Sequence, residues 1–464
     1  MTVALEGVRF RLFPDWAEDP LGAETIALTL PVGLVGPGPT DPWMRTVDAL
    51  GKTQYDPPRY GPPYRGPRGA PALPNRRGHF DHIAFDDPTF ASAHLYGAAR
   101  FALDVWEKYL GRKVRWRSAN VFPQLELIPR VDWDNAQSGP GFLETGARRT
   151  HAGELQPFCM NFDVIAHEMG HTILFAEIGV PPPERLTSEF LAFHEAMSDM
   201  SALVAIMHFD GVLDSVLRKT HGNLYVLNML NRFGILSGTE QIRVCDNMAT
   251  MADVAGLRLG AARSWALRCP PVGSIHSPSA PLTGAIFDLL VELFQNGLLA
   301  RGVIEAELDV RRWPREENEE RLQALSARFK DRFDTAEPLF RDALQDARDL
   351  AGAALARTFE TLSPYDLTFD EVAHTFLRRL DDVCDGADLP LLAENFTWRG
   401  IGSGMSDLDT RFAKRRAQTV TPPYAIRVAA ARMERARADD GAFNAGVLHQ
   451  LINHDHREHP HGER

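Results

Sequence analysis

Cysteine is scarce: four occur in 464 residues, Cys159, Cys245, Cys269 and Cys384, and no two are spaced as CxxC. So few in a chain of this length leave no basis for a disulfide framework, and they read as free thiols in a reducing compartment. Cys159 reads as a small apolar filler. Long basic runs are also lacking, and 50 basic against 62 acidic residues give a net charge of −12. That balance argues against nucleic acid or an anionic membrane as a partner. No apolar run approaches the roughly 20 residues that span a bilayer. The N-terminus, Met-Thr-Val-Ala-Leu-Glu-Gly-Val-Arg-Phe, has neither the basic nor the apolar region of a signal peptide. The chain therefore reads as cytoplasmic.

Hydrophobic content of 44% and charged content of 24% are those of a globular protein, with length enough for two or three domains. Residues 1–35 alternate weakly and suggest one or two strands. The segment 36–79 follows, a Pro/Gly-rich arm that includes Tyr-Gly-Pro-Pro-Tyr-Arg-Gly-Pro at 60–67. Proline at that density excludes helix and central strand. The arm is a connector, or a belt that closes over a cleft. In 80–180, Asp87-Pro88-Thr89 opens a periodic helix stopped by Gly111. Residues 115–131 look β-like, and a helix over about 161–178 ends at Gly179 and three prolines. In 181–400, a helix from Thr187 or Ser188 to about 209 is followed by helical patterns at 282–297, 303–332, 336–358 and 369–381. Residues 401–464 read as a terminal helix and a solvated His-rich tail.

His167-Glu168-Met169-Gly170-His171 is the most informative stretch. Helical positions i and i+4 lie about 40° apart, so both imidazoles leave one face. Two imidazoles suit Zn²⁺, and a carboxylate just after the first can reach a metal-activated water. Chance predicts only on the order of 0.04 such patterns in a chain of this composition. A hydrolytic site needs a third ligand, and Glu195 offers one from the next helix. Asp199, one turn later, can accept the second N–H of a ligating His. Their apolar neighbours Phe190, Leu191, Phe193, Ala196, Met197 and Met200 mark a buried helix, where idle carboxylates are costly. His194 reads as a packing or orienting residue.

Over roughly 80–295 the chain resembles the gluzincin metallopeptidases of the thermolysin/fungalysin-like clan. Four local matches carry this. They are Asp132-Trp133-Asp134-Asn135-Ala136 with its following glycines, Phe162-Asp163-Val164-Ile165-Ala166 leading into the His-Glu motif, Glu195-Ala196-x-Ser198-Asp199, and Gly273-Ser274-Ile275-His276. The resemblance implies an α+β, two-lobed fold with a small β-containing N-terminal lobe and a mostly helical C-terminal lobe. It implies zinc as cofactor on His167, His171 and Glu195, with Glu168 as general base and His276 as oxyanion donor. Asn135 and Ala136 would lie against a peptide or protein substrate. The chain departs from the family in two places. No Tyr lies within 172–194, which leaves Tyr225 as the candidate replacement donor, and apolar Ile206 stands where an acid would help bind calcium, so no calcium site is expected. The ligand spacing and Phe193-His194-Glu195-Ala196 also resemble the peptidyl-dipeptidases of the angiotensin-converting-enzyme group, all-helical with the same ligands. A zinc-bearing interaction module without catalysis is the further alternative.

Overall fold

In a computed structural model of the chain, residues 6–15, 22–57, 59–237, 240–245, 247–254, 276–313, 319–384 and 389–402 are described. The expected terminal helix and His-rich tail lie outside them, as do Cys269 and Gly273 to Ile275. The described residues combine helices and sheets in an α+β chain.

Strands β1 (Gly7–Leu12) and β2 (Glu24–Pro31) pair antiparallel and pack against α1 (Phe90–Leu110). Helix α1 begins after Thr89 and ends at Gly111, whose φ of 67° is the left-handed conformation that closes a helix without Cβ strain. Four short strands then form one sheet in the order β3-β4-β6-β5: β3 (Met44–Thr46), β4 (Leu125–Ile128), β5 (Ala136–Gly139) and β6 (Phe142–Thr145). The Pro-rich arm thus supplies an edge strand, where missing N–H groups cost least. Only residues 125–128 of the β-like 115–131 stretch join the sheet, because turns occupy most of 117–124. A two-stranded ribbon, β7 (Ala147–Arg149) with β8 (Leu155–Pro157), leads towards the motif helix.

The helices follow: α2 (Phe162–Glu177), α3 (Ser188–Ile206) and α4 (Asp210–Thr220), then a hairpin of β9 (Arg232–Ile235) and β10 (Gln241–Val244). Next come α5 (His276–Ala300), α6 (Glu319–Thr361), α7 (Phe369–Asp381) and α8 (Leu389–Thr397). Within α5, Pro278–Ala300 is long and apolar enough to cross a bilayer, but 83% of its apolar window is buried inside the protein. It is a core helix, packed on α3, α6 and α8. The helix expected over 303–332 is corrected in its first half. Ala306–Leu308 and Val310–Arg312 are single 3₁₀ turns, and the Asp309 side chain accepts from Arg311 N, a local bond that competes with helix. The break expected before 336 is a kink at Ala336 (φ −134°), two residues ahead of Pro338 inside α6.

One histidine in this core titrates with folding. His94 on α1 is fully buried; its Nδ1 bonds the Cys159 carbonyl oxygen at 2.8 Å and its Nε2 accepts from Phe13 N at 2.9 Å. A second ring proton would face an N–H, and burial lowers the imidazole to about 4. A folded-state value below the unfolded one means stability is complete above about pH 6.5 and falls as pH drops towards 4. The loss expected is on the order of 3 kcal/mol. Urea unfolding at pH 7 and 4.5 should show a smaller difference for His94→Gln, whose amide reproduces both bonds. Equal differences for the two proteins would remove His94 from this role. Cys159 is itself buried, with its thiol pushed up to about 12 by that burial, as an apolar filler requires.

Candidate metal centre

Asn161 starts α2: its side chain accepts from Val164 N, and Asp163 stands in the first turn. Thr187 does the same for α3 by accepting from Phe190 N at 3.1 Å. Among the described elements the two helices pack on each other most extensively. They run antiparallel, with residue 167 opposite 199 and residue 171 opposite 194 and 195. Gly170 sets their separation. A Cβ there would lie 2.9 Å from Ser198 Cα and 3.0 Å from Ser201 Cβ, closer than side chains tolerate, so the bare glycine permits the approach.

This crossing brings His167, His171 and Glu195 together. Their ligand atoms all lie within 4.8 Å of one another, and all three residues are buried. The two Nε2 atoms are 3.1 Å apart, and Glu195 lies 3.5 Å from His167 Nε2 and 3.6 Å from His171 Nε2. A carboxylate and two imidazole nitrogens converging in a buried space are a donor set that can hold a metal ion.

Behind this triangle stands a second layer. His167 Nδ1 is 2.8 Å from Asp199 Oδ1. Asp199 is also held by Arg243 on β10, whose Nε donates to Oδ2 at 3.1 Å and whose Nη2 contacts Oδ1. Burial opposes charge on Asp199, yet Arg243 and His167 hold its carboxyl down at about 2. Burial likewise opposes a charged His167, but Asp199 and Glu195 lift that imidazole to about 9. His171 Nδ1 lies 3.1 Å from His194 Nδ1 with the rings stacked, which places His194 as an orienting neighbour. Burial drives His194 down to about 3. Glu168, on the same helix, is 2% exposed. Burial raises its carboxyl to about 7, with Glu195 adding to the rise and His167 and the Ser138 hydroxyl opposing it.

The chain is similar to a solved metalloproteinase precursor. That protein is protealysin from Serratia proteamaculans, at 12% identity and a TM-score of 0.44, over 77% of this chain and 86% of that one. No protein-family model and no curated protein matches the chain in sequence.

The other expected site residues are placed as follows. Asn135 and Ala136 are buried at the start of β5, which pairs only with β6 among the described residues. The Ala136 side chain packs into a cluster with Phe158, Val164, Leu236 and Ile242. His276 is the first residue of α5, and its side chain lies outside the described residues. Tyr225 is buried. Burial raises its phenol, and after burial the charged groups acting on it are Glu292, Arg311, Asp288 and Asp309. Those groups put it beside α5 and the turn at Val310–Arg312. Arg243 and Ser138 are the residues that sequence reading missed. A lone Arg in a four-residue strand 44 positions after Asp199 carries no local signal, and neither does one Ser beside a glycine.

Proposed function

We propose that this chain is a zinc-dependent metallopeptidase of the gluzincin type. The observation that carries the reading is the buried two-imidazole, one-carboxylate triangle with a second buried acid, Glu168, next to His167 on the same helix. Zinc held by His167, His171 and Glu195 would supply a Lewis acid and bring the pKa of water down towards about 7.

The protein's own residues do the rest. Asp199 accepts the Nδ1 proton of His167 and thereby fixes the tautomer that presents Nε2 to the triangle. Arg243 keeps Asp199 ionised and in place. Glu168 takes the proton of the attacking water and passes it to the leaving amine. His276 would donate to the oxygen on which charge develops. An extended substrate would add to the edge of β5 beside Asn135, strand to strand. A sheet edge next to the motif helix supports this arrangement, with a two-lobed thermolysin-like frame, over an all-helical peptidyl-dipeptidase.

Metal analysis of the purified chain together with digestion of a peptide library tests the reading. About one zinc per chain is expected, with cleavage abolished by a chelator and restored by zinc. A chain that holds zinc and cuts no peptide would instead be an interaction module. The positions of the cuts separate internal cleavage from release of dipeptides.

A further inference from the structure

Strand β5 is held on both faces. Ala136 and Ser138 share one face, and the strand packs along α2, where Ala136 meets Val164, one turn before Glu168. Gln137 points the opposite way, as strand alternation requires. It sits opposite Glu144 of β6 in the antiparallel register, and its Nε2 donates to Glu144 Oε1 at 2.6 Å and to the Tyr55 carbonyl oxygen at 3.0 Å. Tyr55 belongs to the Pro-rich arm. The arm grips Glu144 as well: Tyr55 N donates to Oε1 at 2.6 Å, and Lys52 Nζ forms an ion pair with Oε2, both side chains being fully buried. Lys52 is also tied down by its own chain, since Asp132 N bonds its carbonyl oxygen at 2.8 Å and its ammonium sits 3.4 Å from the Tyr55 ring centroid.

A buried ion pair with every partner in place adds little stability, but breaking it is costly, so its contribution is to fix one arrangement. Residues 52 and 55 reach Glu144 across about ninety residues of sequence, and Gln137 transmits that grip to the strand beside Glu168. A two-faced hold of this kind is not what a connector needs.

We propose that Gln137 is a positioning residue through which the arm, by Lys52, Tyr55 and Glu144, sets the register and rigidity of β5 against α2. The strand to which a peptide would add is thereby held ready before substrate arrives. This rests on the peptidase reading above. Positioning of this kind lowers the ordering cost of strand addition, so it acts on binding of extended substrates more than on the chemical step.

The test uses the full, zinc-loaded chain and Gln137→Met, which keeps the volume and removes both bonds. Amide hydrogen exchange over 136–139 should speed up roughly tenfold. KM for an extended peptide should rise about three- to tenfold with kcat within about twofold, and a short peptide should show a smaller KM change. Zinc content should stay the same, which a general loss of structure would not allow. Gln137→Asn, an amide one methylene too short for both partners, serves as the second variant if Met is not tolerated, and should move the same quantities in the same direction. Unchanged exchange across β5 in a folded variant overturns the clamp. Faster exchange in the variant, with a wild-type chain that cuts no peptide, would overturn the link to substrate and the peptidase reading together, while the arm's hold on β5 would still be measured.

Discussion

Replacing Glu168 by Gln should leave metal binding intact and reduce peptide hydrolysis by roughly 10²–10⁴-fold, the range attached to a positioned general base. The substitution is close to isosteric. Glu168 is not one of the three converging donors, so the triangle of His167, His171 and Glu195 keeps its geometry. Stability should not suffer, because the change removes a charge from a side chain only 2% exposed and burying a charge is unfavourable. The loss should fall on kcat, with KM little changed, since proton transfer is an interaction made in the transition state. Zinc content by elemental mass spectrometry, a melting curve and steady-state kinetics on one peptide give the three readouts. Activity within tenfold of wild type, at full zinc occupancy, would remove Glu168 from the role of base.

Glu195→Gln should act on the metal itself. Glu195 is the one anionic donor of the triangle and is fully buried. An amide oxygen in its place leaves a divalent cation with no compensating charge in a dry setting, where charge compensation matters most. Loss of an outer partner such as Asp199 costs about 10–100-fold in affinity; loss of a direct anionic ligand should exceed that. Zinc titration against a competing chelator should rank affinity as wild type first, then Asp199→Asn, with Glu195→Gln weakest. A Glu195→Gln chain that binds zinc as tightly as wild type would show that the carboxylate is not a ligand.

What could be read from the sequence was local. Thr89, Asn161 and Thr187 before apolar periodicity, and Gly111 and Gly179 after it, place both ends of α1 and α2 and the start of α3 to within a residue or two, while α3 stops three residues short of the expected end. The spacing from Glu195 to Asp199 was enough to expect the bond to His167, because one helical turn fixes where the second carboxylate points. What could not be read depends on partners far away in the chain. Nothing near residue 52 announces that Lys52 ends against Glu144, or that three residues of a proline-rich arm become a sheet edge. Arg243 reaches Asp199 only because a hairpin folds back over the helix pair. The failed helix over 303–313 shows the limit of periodicity, since one Asp309 side chain bonding its own backbone outweighs an apolar pattern.

Gly170 has a consequence for how adaptable the centre is. The separation of α2 and α3 is set by backbone against backbone at that residue, so the ligand triangle takes its size from the packing and not from the reach of its side chains. A shorter ligand, such as Asp at 195, could not be met by drawing the helices together, because they already touch. A bulkier residue at 170 would spread all three donors at once. The dimensions of the centre are thus inherited from the core, and retuning them means rebuilding the helix pair.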